Sequence, residues 1–300
     1  MMGKGREIEF HDAKLSGEQP LSLLAKWKFL LTRFYWRHRY DFVFYRRLEK
    51  RAMMPWLNLK PGDRVCELGS FTGADAHRLS RRFGCTICGL DISQRHVRLA
   101  QSFNKTARTS FLVASAESLP FADESFDKIY GVSVLEHFTN GQNALKEAHR
   151  CLKPGGTLVF TTDSFALREL LHGTQDVHRK KYHVRRYYSQ PELISQIESA
   201  GFQVLHAEPV IRHWATGYLL ELGVHYDGVK LPASLLLPLL RWLEKRYGSR
   251  DRGYMQMIAA AKPALPDLIA SKVSLGETDA SAGGLQPVRC HPGVPEFDRS

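Results

Sequence analysis

The chain has 300 residues, of which 43% are hydrophobic and 24% charged, and a formal net charge of +11. That much apolar material builds one sizeable core with elaborations. It excludes a wholly disordered chain, a collagen-like repeat and a disulfide scaffold, and no uncharged apolar run reaches the ~18 residues of a membrane-spanning helix.

The positive charge is local. Residues 1–60 hold thirteen Lys/Arg against six Asp/Glu, and residues 164–190 hold six against two, so these segments carry the whole excess. Such clustering suits an anionic small molecule, an anionic membrane surface or nucleic acid, and equally a solubilising surface. The five cysteines, Cys66, Cys85, Cys88, Cys151 and Cys290, are an odd set. With no hydrophobic signal core at the N-terminus, a cytoplasmic, reducing setting is expected, with peripheral contact at the inner membrane face.

In chain order, residues 1–20 are expected to be a flexible N-terminus. Residues 21–55 interleave aromatic and basic side chains without glycine before Pro55, which predicts a helix. The next domain is expected over 56–262. Its strands are predicted at Arg64–Leu68, Thr86–Leu90, Ser110–Val113, Phe126–Val132 and Thr157–Thr162. Helices fall between them, one running from about Asn140 to Leu152, where Lys153-Pro-Gly-Gly156 stops it. Alternating strand and helix implies right-handed crossovers and a mostly parallel, doubly wound (Rossmann-like) α/β sheet. A helix from Pro191 to Gly201, a strand at Phe202–Glu208, a largely helical insert over 212–250 and a last strand at Gly253–Ala261 bring the sheet to seven strands. The insert is expected to cap the substrate cleft. Residues 263–300 have no periodicity and are expected to be a disordered tail.

The informative stretch is Val65-Cys-Glu-Leu-Gly-Ser-Phe-Thr-Gly73. A strand ends on an acid, and two glycines flank a tight turn into a helix. The next strand ends on Leu90-Asp-Ile92, which places a second acid where a ribose diol is commonly met. Ala114-Ser-Ala-Glu-Ser-Leu-Pro-Phe121, Ser125-Phe-Asp127, Val134-Leu-Glu-His137 and Glu147…Arg150-Cys-Leu-Lys-Pro-Gly-Gly156 follow in order.

Taken together, these elements resemble the class I S-adenosylmethionine-dependent methyltransferases, within them the small-molecule "type 11" group, over roughly residues 56–210. The resemblance implies roles. Glu67, Gly69, Ser70 and Gly73 would hold the methionine end of S-adenosyl-L-methionine. Asp91 would meet the ribose, and Ile92, Ser115, Ala116 and Glu117 the adenine. Ser133 and Val134 would lie beneath the methionine portion. His137 is the candidate general base, with His178 and His183 as alternatives. Tyr182, His183 and Tyr187 are candidates for acceptor contact. Two departures stand out: Phe71 replaces a glycine of the loop, and Ser115 an aspartate. Weaker cofactor binding is expected from both.

A methylation site of this kind needs little but alignment and exclusion of water, and a base only where the acceptor is acidic. No metal is expected, because Cys85-Thr-Ile-Cys88 lacks a second pair and falls in one strand. The expected acceptor is a small-molecule or lipid-like compound, with an anionic group suited to the local positive charge. RNA methylation is the rival, supported by the basic aromatic helix, but no Asn/Asp-Pro-Pro-Tyr/Phe motif follows the fourth strand, so nucleic acid is disfavoured. A non-catalytic regulatory protein that binds the cofactor is the other alternative.

Overall fold

The computed structural model describes residues 43–167, 169–226 and 233–264, together with Trp27 and Leu31, and only the backbone of 233–235. A seven-stranded sheet runs through it in the order β3-β2-β1-β4-β5-β7-β6. The strands are β1 (Arg64–Leu68), β2 (Thr86–Asp91), β3 (Thr109–Val113), β4 (Phe126–Gly131), β5 (Leu152–Asp163), β6 (Gln203–Val210) and β7 (Met255–Ala261). Pairings from β3 through β5 are parallel, and β7 runs antiparallel to both β5 and β6. The expected mostly parallel α/β sheet is therefore what forms.

The helices are α1 (Phe44–Leu57), α2 (Ala74–Phe83), α3 (Gln94–Asn104), α4 (Gly141–Cys151), α5 (Thr174–Tyr182), α6 (Gln190–Ser199), α7 (Trp214–His225) and α8 (Ala233–Tyr247). Strand residues alternate between two cores. Val65, Ile87, Tyr130, Val159 and Met257 pack with α1, α2, α3 and α7. Cys66, Leu68, Ile129, Leu158 and Ile258 pack with α4 and α6.

Register decides where a ligand can sit. Leu68 aligns with Leu90 on one side and Gly131 on the other, and Gly131 aligns with Phe160. The carboxyl ends of β1, β2 and β4 therefore finish on one edge, and β5 projects beyond it to Asp163. The order of connection reverses between β1 and β4, which leaves a crevice there.

Three expectations are corrected. The fifth strand begins at Leu152, not Thr157, directly after α4, and Lys153-Pro-Gly-Gly156 lies within it. Its pairing with β4 slips between Phe126 and Lys128, and Gly155, at φ +74°, donates its amide to the Lys262 carbonyl at 2.8 Å. Proline and two glycines there accommodate a bulge as well as ending the helix. Cys85 is a buried residue just before β2, so it does not share a strand with Cys88. Among the described residues the N-terminal helical segment holds Trp27 and Leu31, both exposed, and then α1, which starts only at Phe44 after extended Val43. The rest of the 21–55 helix, residues 1–20 and the tail beyond 264 lie outside the described residues.

The insert packs inward through one acid. Fully buried Glu221 of α7 accepts from the Leu170 and Leu171 amides at 3.0 and 2.5 Å, the Thr174 hydroxyl at 3.2 Å and the Tyr254 hydroxyl. Gly217, one turn earlier, leaves room for that tyrosine, since a Cβ there would stand 2.3 Å from its ring. Gly217→Ala is expected to displace Tyr254 and cost about 1–3 kcal/mol, read as a lower urea midpoint at unchanged m-value.

Candidate active site

The crevice is bordered by two acids with different surroundings. Asp91 ends β2 and is bound on both oxygens. Oδ2 accepts the Phe71 amide at 3.0 Å, and Oδ1 accepts the Ser93 amide at 2.9 Å and faces His96 Nδ1 at 3.3 Å. Burial pushes this carboxyl up, but the bonds from His96, Ser93 and Phe71 outweigh it and hold it below its ordinary value. Phe71 has φ +49°, and its ring meets His96 edge-on at 4.2 Å between centroids. The side chain that replaces a glycine thus has a resting place against α3, and its amide still serves the loop.

Glu67 is buried near the end of β1, and burial pushes its carboxyl well up, with Asp75 adding to the effect. Its Oε2 and the Ser70 hydroxyl, also buried, have no hydrogen-bond partner. Unpaired buried polar atoms are costly unless something else fills them. Between them Gly69 (φ +69°) is exposed and bare. A Cβ there would lie 2.7 Å from Val134 Cγ2, and one at Gly131 would lie 2.5 Å from Val134 Cγ1. Val134 therefore wedges the loop against the end of β4. Gly73 opens α2 at φ +69° and could not carry a Cβ, which would meet the Phe111 ring at 2.3 Å. Across the edge, Ile92 is 79% exposed beside Asp91. Ala116 is buried. Ser115 Oγ accepts the Glu117 amide at 3.1 Å, while Glu117 Oε1 accepts the Thr139 amide at 2.7 Å. Glu117 thus ties two edge loops together.

Ser133 faces away from the loop. Its hydroxyl donates to Glu49 Oε1 at 2.7 Å and accepts from Arg46 Nη1 at 2.6 Å, while its amide donates to Thr161 Oγ1 at 2.9 Å. Thr161 in turn donates to Glu49 Oε1 at 2.8 Å, and Arg46 reaches Glu49 Oε2 at 2.9 Å. Glu49 is completely buried on α1, and these donors compensate its charge.

This network adjoins a second group of acids. Glu136, completely buried, accepts the Thr162 hydroxyl on Oε2 at 2.8 Å, while Oε1 has no partner. Burial raises its carboxyl to about 7, against the pull of its hydrogen bonds and Arg46. Asp163, at the end of β5, is pushed well up by burial and then by Glu136. His178 Nε2 lies 3.5 Å from Asp163 Oδ2, and its Nδ1 lies 3.1 Å from the Tyr187 oxygen. Because the Tyr187 hydroxyl donates to the Gln175 carbonyl at 3.1 Å, His178 Nδ1 must carry the proton toward Tyr187. Burial, then Arg46 and His137, hold His178 down at about 3, so it is neutral and its Nε2 lone pair faces Asp163. His137 sits on a 3₁₀ turn (Leu135–His137), with Nδ1 3.5 Å from the His183 carbonyl, and burial lowers it too. Tyr182 is 40% exposed, with its ring 4.7 Å from that of His178. The Arg185 and Arg186 amides bind the Glu136 carbonyl at 2.9 and 3.3 Å, which draws segment 183–188 across the edge.

The structure thus brings Glu67, Gly69, Ser70, Asp91 and Ile92 around one crevice. His137, His178, Tyr182 and Tyr187 gather beside the end of β5. Arg46, Glu49, Glu136 and Asp163 were not singled out from the sequence. Glu136 lay inside the Val134–His137 motif and Asp163 closed an apolar run, so both were visible. Arg46 and Glu49 carried no signal that separated them from the other charges of a basic helix.

The family model described as a methyltransferase domain matches residues 66–160. The demethylmenaquinone methyltransferase of Tropheryma whipplei is 36% identical over 110 residues, 37% of this chain and 46% of that protein. The malonyl-[acyl-carrier protein] O-methyltransferase 1 of Coxiella burnetii is 31% identical over 156 residues, 51% of this chain and 52% of that protein. The chain spans about half the length of these curated relatives. Among solved structures, the Haemonchus contortus phosphoethanolamine N-methyltransferase 2 in complex with S-adenosyl-L-methionine aligns at a TM-score of 0.55 and 20% identity, over 71% of this chain and 52% of that one. At such identity the likeness speaks for the fold alone.

Glu136 gives a pH test. A carboxyl raised on folding contributes stability that is complete below its unfolded range and lost as pH rises through about 7. Glu136→Gln keeps an acceptor for Thr162 without the charge. Wild type should therefore lose ground to the variant between about pH 5 and about pH 8, by on the order of 3 kcal/mol, in urea titrations at each pH. A difference that does not change with pH would place the proton elsewhere.

Proposed function

We propose, from the premise that residues 66–160 are a class I methyltransferase domain, that the chain methylates a small, lipid-like acceptor with S-adenosyl-L-methionine as donor. The observation that carries this reading is the pair Glu67 Oε2 and Ser70 Oγ, buried and unpaired across a bare glycine turn from Asp91. These residues fit the cofactor. Glu67 and Ser70 would take its ammonium and carboxylate end, Asp91 its ribose hydroxyls, and Ile92 with Ala116 its adenine. Ser115, with one lone pair given to Glu117, would offer the adenine amino group a second. When bound, the cofactor supplies a methyl group already activated by a sulfonium sulfur.

The protein's share is alignment, exclusion of water and, for a hydroxyl acceptor, removal of one proton. His137 is suited to the last task. Its Nδ1 faces the His183 carbonyl, so the proton rests there and Nε2 keeps its lone pair; burial keeps the ring neutral. Tyr182, His183 and Tyr187 would border the acceptor. Arg179, Lys180 and Arg185, exposed on the same segment, would suit an acidic group on it. The quinone and acyl-carrier names of the two relatives support a small or lipid-like acceptor.

Labelled methyl transfer into fractionated extracts is the direct test. Label is expected in the lipid or small-molecule fraction, and label in RNA or protein would overturn the reading, as would binding without transfer. His137→Ala should lower kcat by about 10²–10⁴-fold while leaving cofactor affinity unchanged. Asp91→Ala should weaken cofactor binding by about 1–3 kcal/mol in calorimetry. Glu67 rests protonated more readily than an ordinary carboxyl, and the incoming ammonium reverses that. Binding should therefore release protons, seen by calorimetry in buffers of different ionisation heat, and Glu67→Gln should abolish the release.

A further inference from the structure

The geometry points to the outward face of α7 and α8, with the groove that α8 forms against α1 and β6, as a docking surface for the anionic headgroups of a phospholipid bilayer. Trp214, Leu239, Trp242 and Tyr247 are 65%, 53%, 54% and 56% exposed. They are not scattered. The His213 ring lies 5.5 Å from that of Trp214 and 6.3 Å from that of Tyr247, and Tyr247 meets Trp242 edge-on at 5.4 Å. One aromatic surface thus joins the start of α7 to the end of α8. Indole and phenol rings of this kind favour the boundary between headgroups and hydrocarbon.

Beside Trp242 opens a groove of about 680 Å³. Its apolar wall includes Trp56, held by stacking on His206 at 4.4 Å and 13°. Arg51, Arg241 and Lys245 line it, all exposed, and none makes an ion pair among the described residues. Of the groove's two acids, Glu244 is buried and engaged, and Glu208 is partly exposed beside His206. Glu244 accepts the Arg212 and His213 amides at 2.7 and 3.1 Å and lies 3.7 Å from the Arg212 guanidinium, while Glu208 lies 3.7 Å from His206. Three uncommitted cations over an apolar wall complement a phosphate with hydrocarbon behind it.

A second copy of the chain would bring its own arginines against these, which opposes a self-complementary interface. Exposed Leu239 and Pro238 favour hydrocarbon over stacked bases. No helix among the described residues is long and apolar enough to cross a membrane, so the face would lie on the bilayer. The inference is independent of the methyl-transfer reading, since its test reads binding.

The full chain is floated with vesicles of phosphatidylcholine, alone or mixed with phosphatidylglycerol. Binding at low salt is expected only to the mixed vesicles. Arg241→Glu with Lys245→Glu should weaken it about tenfold or more. Trp214→Ala with Trp242→Ala should weaken it at low and high salt alike, because ring insertion is not screened. All four side chains are exposed, and unchanged melting and cofactor affinity would show that the fold is intact. Equal binding to both vesicle types, or none, would overturn the proposal. So would self-association lost in the same variants, or a short RNA bound through these residues. Competition by glycerol phosphate without vesicle binding would instead assign the groove to a free phosphorylated molecule.

Discussion

The anchoring of α1 to the carboxyl edge rests on one buried charge, Glu49, which accepts from Ser133, Thr161 and Arg46 and has no contact with water. Leaving that carboxylate without its donors would be strongly unfavourable, so the helix and the ends of β4 and β5 hold each other in place. The same bonds explain why Ser133 turns from the glycine loop and why Arg46 stands among the acids beyond it.

Strain gathers at the same edge. Phe71 follows β1, Ser133 follows β4, Phe165 follows β5 and Ile211 follows β6, and all four have φ between 47° and 57°. Each such non-glycine residue costs on the order of 1 kcal/mol or more. The turns are held by tertiary bonds: the Phe71 amide by Asp91, the Ser133 amide by Thr161 and the Phe165 amide by the Tyr254 carbonyl at 3.0 Å.

Beyond the crevice, burial decides the state of each acid and base. Glu136 and Asp163 rise and His178 falls because charge is disfavoured there, and mutual repulsion among the acids adds to it. The result is a buried, hydrogen-bonded group of ionisable side chains beside the crevice, with its acids held toward the protonated form and His178 toward the neutral one. Segment 183–188 is tied over it through the Glu136 carbonyl. Glu221 fixes the segment before it, so the insert and the lining of the site are mechanically joined.

Much was legible in the residues alone. Alternating apolar runs and helical segments determined a mostly parallel sheet, because a strand buried on both faces leaves a continuous apolar signature. The Glu67–Gly73 and Leu90–Ile92 stretches located the crevice, because a turn at positive φ beside a ligand restricts the residues it admits. Register was not legible where a bulge intervened, so β5 starts five residues before the position expected from its apolar run. Nor could the sequence single out Arg46 and Glu49. Their meaning comes from contact with Ser133 and Thr161, more than eighty residues away, and a charge on an amphipathic helix reads the same whether it meets water or a sheet end. Tertiary structure alone decided that, since burial and partners are properties of the packed chain.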